Sequence, residues 1–378
     1  MSMYDTIVVG AGSSGCVVAG RLSADAGRRV LLLEAGGKDD SFLIRKPGMI
    51  ALIHTVPQIR EKFDWDYKTV PQATALDRKV KTTRGKVMGG SSSINGMVFV
   101  RGNRANYDGW AAEGCEGWSF DELLPLYRRM EDFEGGASDL RGSGGPVSVT
   151  YSKKLSPVSY AFQEAVASTC GVAKLDDYNG ERQEGVGVVQ MSAKNGLRYS
   201  TSEAYLVPNK ERRNLDVRSG VTVRRVVLEG TRAVGVELID EDGVSVVRAD
   251  REIVLSAGVI GSPHILQLSG IGVPEHLSRI GIKPRVDLPV GDNLHDHLFF
   301  PLVYLAPSAR HRGTPPYFFA GMAREYLFGG TWFGRTVFET MGFVKTDPSL
   351  VAPDLQIHTL PWAYPAPNQD APVRPTVD

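Results

Sequence analysis

Cysteine is scarce: Cys16, Cys115 and Cys170 lie far apart and form no Cys-x-x-Cys pair. That spacing gives neither a disulfide framework nor a thiolate metal site and fits a reducing compartment; Cys16 is a small buried residue of the first helix. No window approaches the ~20 apolar residues that a membrane helix needs. Neither charge sign dominates, with 43 Lys and Arg against 43 Asp and Glu, so the whole-chain balance suggests neither a nucleic acid nor an anionic lipid as partner. The first residues lack a basic n-region, an apolar h-region and a small-residue cleavage site, and the expectation is a cytoplasmic protein without membrane insertion. A chain of 378 residues that is 42% hydrophobic and 23% charged can bury one large core or two.

What is present starts within the first forty residues. A strand, Tyr4 to Val9, runs into Gly10-Ala11-Gly12-Ser13-Ser14-Gly15, then come a helical stretch, a second strand from Arg29 to Leu33, and Glu34. That is the order of a dinucleotide-binding βαβ unit. Gly10 permits the turn out of the strand, Gly12 lets the backbone approach a pyrophosphate, and Gly15 lets helix and strand pack closely. The helix that opens at Ser13 and Ser14 then faces the phosphates. Glu34, nineteen residues after Gly15, sits where a carboxylate accepts hydrogen bonds from an adenosine ribose and repels a 2′-phosphate. FAD or NAD fits; NADP does not.

The stretch 36–120 is polar and glycine-rich and is expected to be irregular over much of its length, which in compact domains is usually functional. Helices are expected from Asp121 to Phe133 and from Ser156 to Ser168, with a glycine-rich connector from Glu134 to Pro146, and short strands among loops over 175–200. Val221 to Leu228, Ala233 to Ile239 and Val244 to Arg248, separated by Glu229-Gly230 and Asp242-Gly243, read as an antiparallel meander. Glu252 to Ser256 reads as a further buried strand opening on Ala257-Gly258. Beyond Pro301, Tyr317, Phe318, Phe319, Tyr326, Phe328, Trp332 and Phe333 suit either a cavity wall or a second core. From Pro361 to Asp378 the chain is proline-rich and ends without a closing element.

Gly85-Lys86-Val87-Met88-Gly89-Gly90-Ser91-Ser92-Ser93-Ile94-Asn95, with Gly102 and Asp108 downstream, closely resembles the first signature of the glucose-methanol-choline oxidoreductase family. Gly258 to Gly272 resembles its second signature, and Val290 to His297 and Asp354 to His358 resemble further family segments. The glycines and serines of the first signature supply N–H groups and hydroxyls that can cradle phosphate or flavin oxygens. The resemblance implies an FAD cofactor touched by Met88, Gly89, Gly90, Ser91, Asn95, Gly96, Met97, Val98, Ala257 and Gly258, with the Val223 backbone at the adenine end. Ile94 stands where some relatives carry the histidine that bonds flavin covalently, so FAD is expected to be non-covalent. Met88, Val259 and His295 depart mildly from the family pattern. His295 and His297 share a face at alternate strand positions and admit a metal-ligand reading, but no carboxylate or thiol completes a set; no metal is expected, and His297 is read as making structural hydrogen bonds.

The resemblance further implies oxidation of a small-molecule alcohol: a histidine takes the hydroxyl proton while hydride passes to flavin N5. In relatives that histidine follows an HPxGTxxMG-like segment, which this sequence lacks. His54, His264, His276, His311 and His358 do not match it, so no catalytic residue is assigned. Two readings stay open, an incomplete FAD-dependent alcohol dehydrogenase or oxidase and a non-catalytic FAD- or partner-binding product. An NAD-only dehydrogenase is a weaker third, since it leaves both later signatures without a task. The expected fold class is α/β: a discontinuous Rossmann-like FAD-binding domain with an antiparallel meander (1–155 and 205–300), plus an α+β substrate domain with an antiparallel sheet (156–204 and 301–378).

Overall fold

The computed structural model describes residues 3–153, 155–299, 301–302, 304, 315–328 and 337–360. Of the sequence expectations, those on His311, on Trp332 and Phe333, on the side chains of Tyr317 and Phe318, and on the proline-rich tail lie outside the described residues. The chain divides into two units, one of Met1–Ser41, Val56–Ile94 and Ser200–Phe299, the other of Phe42–Thr55, Asn95–Tyr199 and Phe300–Asp378. Both are discontinuous. Residues 42–55 and 95–155 group with the second unit, where the sequence boundaries put them in the first; for the latter the reason is that Glu131–Phe133 and Val147–Tyr151 join the same sheet as Gln190–Lys194.

In the first unit, β1 (Tyr4–Val9), α1 (Ser13–Leu22) and β2 (Val30–Glu34) form the expected βαβ unit. Every residue of β2 is buried, as in a central parallel strand covered on both faces. The six-stranded sheet runs Leu215–Ser219, β2, β1, Gly243–Leu255, Arg232–Asp240, Thr222–Glu229. The fourth of these is one thirteen-residue strand where the sequence suggested two. Ala249, Asp250 and Arg251 contain no breaker, so the chain continues from an antiparallel half, Gly235↔Arg248 to Asp240↔Gly243, into a parallel half, Thr6↔Glu252 to Val9↔Leu255. Gly230 and Gly243, at φ +59° and +106°, turn the meander. Ile7, Leu31, Leu33, Val226, Val236, Leu238 and Ile265 make its core, each worth roughly 1.5–3 kcal/mol on burial.

Among the described residues the second unit holds two four-stranded sheets. One contains Leu197–Arg198, Gln190–Lys194, Val147–Tyr151 and Glu131–Phe133; the other contains Leu355–His358, Thr340–Val344, Gly185–Val188 and Lys174–Leu175. Each is antiparallel except for one parallel edge pair. The helix Pro157–Cys170 starts at Ser156, whose hydroxyl accepts from the Ser159 N–H, and stops at Gly171, φ +65°. The helix Phe120–Met130 ends three residues sooner than expected, because Glu131–Phe133 is a strand. Glu131, fully buried, accepts from both Arg101 (2.6 Å) and Arg141 (2.9 Å); such a charge is tolerable inside only when paired and hydrogen-bonded. The stretch 36–120 is richer in helix than expected, with short helices at Phe42–Arg45, Ile50–Thr55, Pro57–Phe63 and Arg104–Ala112. Phe319, Tyr326 and Phe328 are 59%, 73% and 82% exposed, which a second packed core would not leave.

Candidate cofactor site

In the first unit the turn after β1 is constrained by what surrounds each glycine. Gly10 has φ +93°, and a Cβ on it would stand 2.7 Å from the Ser256 carbonyl oxygen and 2.8 Å from Ala257 Cα. A Cβ on Gly15 would stand 1.9 Å from the Gly10 carbonyl oxygen. Both glycines are therefore required by the protein itself. Gly12 is different: a Cβ there meets nothing nearer than 3.8 Å, so packing alone gives no reason for glycine, whereas an approaching pyrophosphate does. Gly12 caps α1 without a side-chain bond, and the first-turn N–H groups of Ser13, Ser14 and Gly15 have no acceptor within the helix. That terminus favours an anion.

Glu34, 5% exposed, accepts the Ala11 N–H on Oε2 (2.9 Å) and the Gly36 N–H on Oε1 (2.8 Å). It anchors the glycine turn, and each carboxyl oxygen keeps a second lone pair for a ribose hydroxyl. Burial raises its pKa, against the lowering by those N–H groups. Cys16 is held at the back of the turn, its Sγ 3.1 Å from the Ala11 carbonyl, and burial pushes its pKa up to about 12. It stays a thiol.

Met88, Gly89, Gly90 and Ser91 are brought directly against this turn. The Gly89 N–H donates to the Ala11 carbonyl at 2.8 Å, and the Met88 N–H to the Gly37 carbonyl at 2.9 Å. A Cβ on Gly90 would stand 2.6 Å from Gly12 Cα. Of the serine hydroxyls, expected to cradle ligand oxygens, two donate inside the turn and the third only accepts there. Ser91 Oγ accepts the Gly85 N–H, Ser92 Oγ donates to the Gly89 carbonyl, and Ser93 Oγ donates to the Met88 carbonyl. Backbone N–H groups and the Ser91 O–H, which the accepted bond leaves able to donate, are what this turn can offer an anion. Ala257 adjoins Gly10, and Gly258, at φ +80°, has open space at its Cβ position. Val223 lies two residues beyond Val221, whose N–H donates to the Glu34 carbonyl at 2.9 Å. Ile94 is buried and aliphatic.

Asp39 was missed from the sequence. Buried at 8% exposure, it accepts from Ser200 Oγ (2.9 Å) and Ser202 Oγ (3.3 Å), and Ser92 Oγ accepts the Thr201 N–H (3.1 Å). Together they fasten the serine turn to the helix Thr201–Tyr205. A lone acid in an irregular stretch carries no periodic signal that would have found it.

In the second unit, Asn95 is held by Arg198. The guanidinium donates to Asn95 Oδ1 (2.9 Å), to the Asn95 carbonyl (2.7 Å) and to the Ile44 carbonyl (3.0 Å); burial lowers its pKa to about 9. Asn95 Oδ1 also accepts the Met97 N–H at 3.0 Å, and Met97 takes φ +60°. The carboxamide oxygen is thus committed to the protein, leaving the Asn95 NH2 group as its donor. A Cβ on Gly96 would stand 2.4 Å from the Phe338 ring, and Val98 bridges Met191. The ring of Phe338 meets His358 at 5.2 Å. Among the described residues His358 Nδ1 is buried without a hydrogen-bond partner, and burial lowers its pKa. His295 and His297 are exposed, and no group of three or more His, Cys, Asp or Glu able to hold a metal is found among the described residues.

A glycine turn between a buried strand and an uncapped helix, an acid closing the second strand, and a second glycine turn packed on the first define a dinucleotide-binding oxidoreductase fold. The family model for GMC oxidoreductases matches residues 4–299, and the chain belongs to that family. It is similar to an oxygen-dependent choline dehydrogenase of Photobacterium profundum, 43% identical over 370 residues, covering 95% of this chain and 64% of that protein. Among solved structures it resembles the pyridoxine 4-oxidase from Mesorbium loti, with TM-score 0.81, 29% identity, and 98% of this chain on 69% of that one. It also resembles an FAD-dependent oxidoreductase from Chaetomium thermophilum, with TM-score 0.78, 29% identity, and 90% of this chain on 61% of that one. The chain thus spans just under two thirds of the curated relatives it matches.

Proposed function

We propose that the first unit binds FAD non-covalently and that the chain is the cofactor-holding part of an oxidoreductase acting on the CH–OH group of an alcohol. The observation that carries this reading is the backbone-to-backbone contact of the two glycine turns, joined through Ala11 and braced by Glu34. In this reading the N–H groups that open α1 meet the pyrophosphate, Glu34 and the Val223 backbone the adenosine end, and the 88–91 turn the flavin side. FAD, when bound, supplies a two-electron acceptor for the hydride of an alcohol carbon. The chain's own residues bind and orient: Gly12 and Gly90 leave room, and Glu34 holds the Ala11 N–H. Ile94 offers no nucleophile to the flavin, which supports non-covalent binding.

The similarity to a choline dehydrogenase of Photobacterium supports choline, or another small primary alcohol, as substrate class. We also propose little turnover by these 378 residues alone, since no histidine stands in an HPxGTxxMG-like segment. The free cysteines support a reducing, cytoplasmic setting. FAD titration of the purified chain should saturate with a one-to-one endpoint, and acid precipitation should release the colour into the supernatant. A folded sample that takes up no FAD overturns the reading, and colour retained in the pellet overturns its non-covalent part. Bleaching by choline under anaerobic conditions refutes the proposal of low turnover.

A further inference from the structure

The first unit carries a hairpin, β3 (Tyr67–Lys68) and β4 (Lys81–Thr82), that the cofactor site does not use. Its register sets Lys68 directly opposite Lys81, and the Thr69 N–H to Val80 carbonyl bond carries that register on to Val70 opposite Lys79. Alternate residues share a face, so one face presents Lys68, Lys79, Lys81 and Val70, all exposed. Like charges directly opposite on a ladder are destabilising in water. Lys68 has Asp66 at 3.3 Å, yet residues 67–82 hold four cations against the single anion Asp77. The balanced charge of the whole chain conceals this local surplus.

The tip is equally unusual. Leu76 is 83% exposed and Val70 73% exposed, and Leu76 and Asp77 take φ +57° and +56°, a region that L side chains avoid. Bonds from the Ala75 and Asp77 N–H groups to the Gln72 carbonyl, and from the Gln72 N–H to the Arg78 carbonyl, hold that conformation. The leucine is therefore presented outward by a well-bonded turn rather than left there by a slack one. At the hairpin's foot Trp65 and Tyr67 stack at 5.7 Å, with Lys86 Nζ 4.8 Å from the Trp65 ring centre. Tryptophan and tyrosine at such a level suit the boundary between water and lipid.

We propose that this hairpin docks the protein on an anionic membrane surface, with Leu76 and Val70 entering the headgroup layer and Lys68, Lys79 and Lys81 meeting lipid phosphates. A soluble polyanion would satisfy the lysines but gives the apolar tip no place to go. No helix among the described residues is long and apolar enough to cross a membrane; the contact proposed is the one the hairpin itself makes. Each lysine near a negatively charged leaflet adds attraction that salt screens.

The test is flotation of the full chain with phosphatidylcholine vesicles, with and without phosphatidylglycerol, at low and high salt. Binding is expected to the anionic vesicles alone. Lys79→Glu with Lys81→Glu should reduce it by about tenfold or more, and Leu76→Ser should reduce it several-fold, with FAD uptake and melting temperature unchanged in both. Absence of binding to anionic vesicles, equal binding to neutral ones, or full binding by the double lysine variant overturns the proposal. So does a result in which the variants change only self-association or binding to heparin.

Discussion

Glu34→Ala tests the bracing of the glycine turn. The side chain is 5% exposed and accepts two buried N–H groups, those of Ala11 and Gly36. Truncation leaves both donors without an acceptor, at about 1–3 kcal/mol each, so about 2–6 kcal/mol in all. Against a folding free energy of about 5–15 kcal/mol that is a large fraction. Urea unfolding of the FAD-free chain should therefore show a lower midpoint. The pH dependence has a defined sign: burial holds the folded pKa above the usual carboxylate value, so the part of stability tied to this proton is complete below that value and is lost as pH rises through the folded pKa. The gap between wild type and Glu34→Ala should be wider near pH 4 than at pH 8. Equal midpoints, or a gap that widens with rising pH, refutes the bracing argument.

Gly15→Ala places a Cβ 1.9 Å from the Gly10 carbonyl oxygen, a backbone contact that cannot yield, so loss of both thermal stability and FAD uptake is expected by scanning fluorimetry and titration. Gly12→Ala meets only ordinary protein contacts; it should fold like wild type yet bind FAD at least about tenfold more weakly if the pyrophosphate takes the path proposed above, where the Cβ would stand. Glu131→Gln strips the charge from a fully buried partner of two arginines and should cost about 3–5 kcal/mol in chemical denaturation. Burial lowers the His358 pKa, so stability should fall as pH drops from about 7 toward 5 while the unfolded imidazole, with its pKa of about 6.5, takes up protons; His358→Phe should flatten that part of the pH profile.

The first unit was largely legible because its signals are local. Tyr4–Val9, the glycine run and Val30–Glu34 announce themselves by burial, turn chemistry and spacing, and Glu229-Gly230 and Asp242-Gly243 mark the meander turns. The join of two expected strands into Gly243–Leu255 was hidden because one strand changes partner and pairing sense midway, a matter of topology rather than composition. The early end of the helix after Met130 was hidden for a similar reason. Glu131 continues the helical periodicity in sequence, but its ion pairs with Arg101 and Arg141 hold it in a strand. At the site, glycine identity conveyed where backbone must be bare. It did not convey that Ser92 and Ser93 donate inward, nor that Asp39 accepts from Ser93, Ser200 and Ser202, since both depend on contacts between residues 39, 88–93 and 200–202.

The Ala11 peptide shows why the two glycine motifs act as one device. Its N–H is held by Glu34 and its carbonyl accepts from Gly89, so the two peptide planes that meet at the Ala11 Cα are each fixed, by residues that follow it by 23 and 78 positions. Gly90 can approach Gly12 so closely only while those two planes stay in place, and Gly12 keeps its opening toward a ligand only while Gly90 lacks a side chain. Strain introduced at either turn is carried to the other through two short hydrogen bonds rather than absorbed locally. Substitutions at Glu34 and at Gly90 should accordingly fail to add, as expected of residues that share a partner.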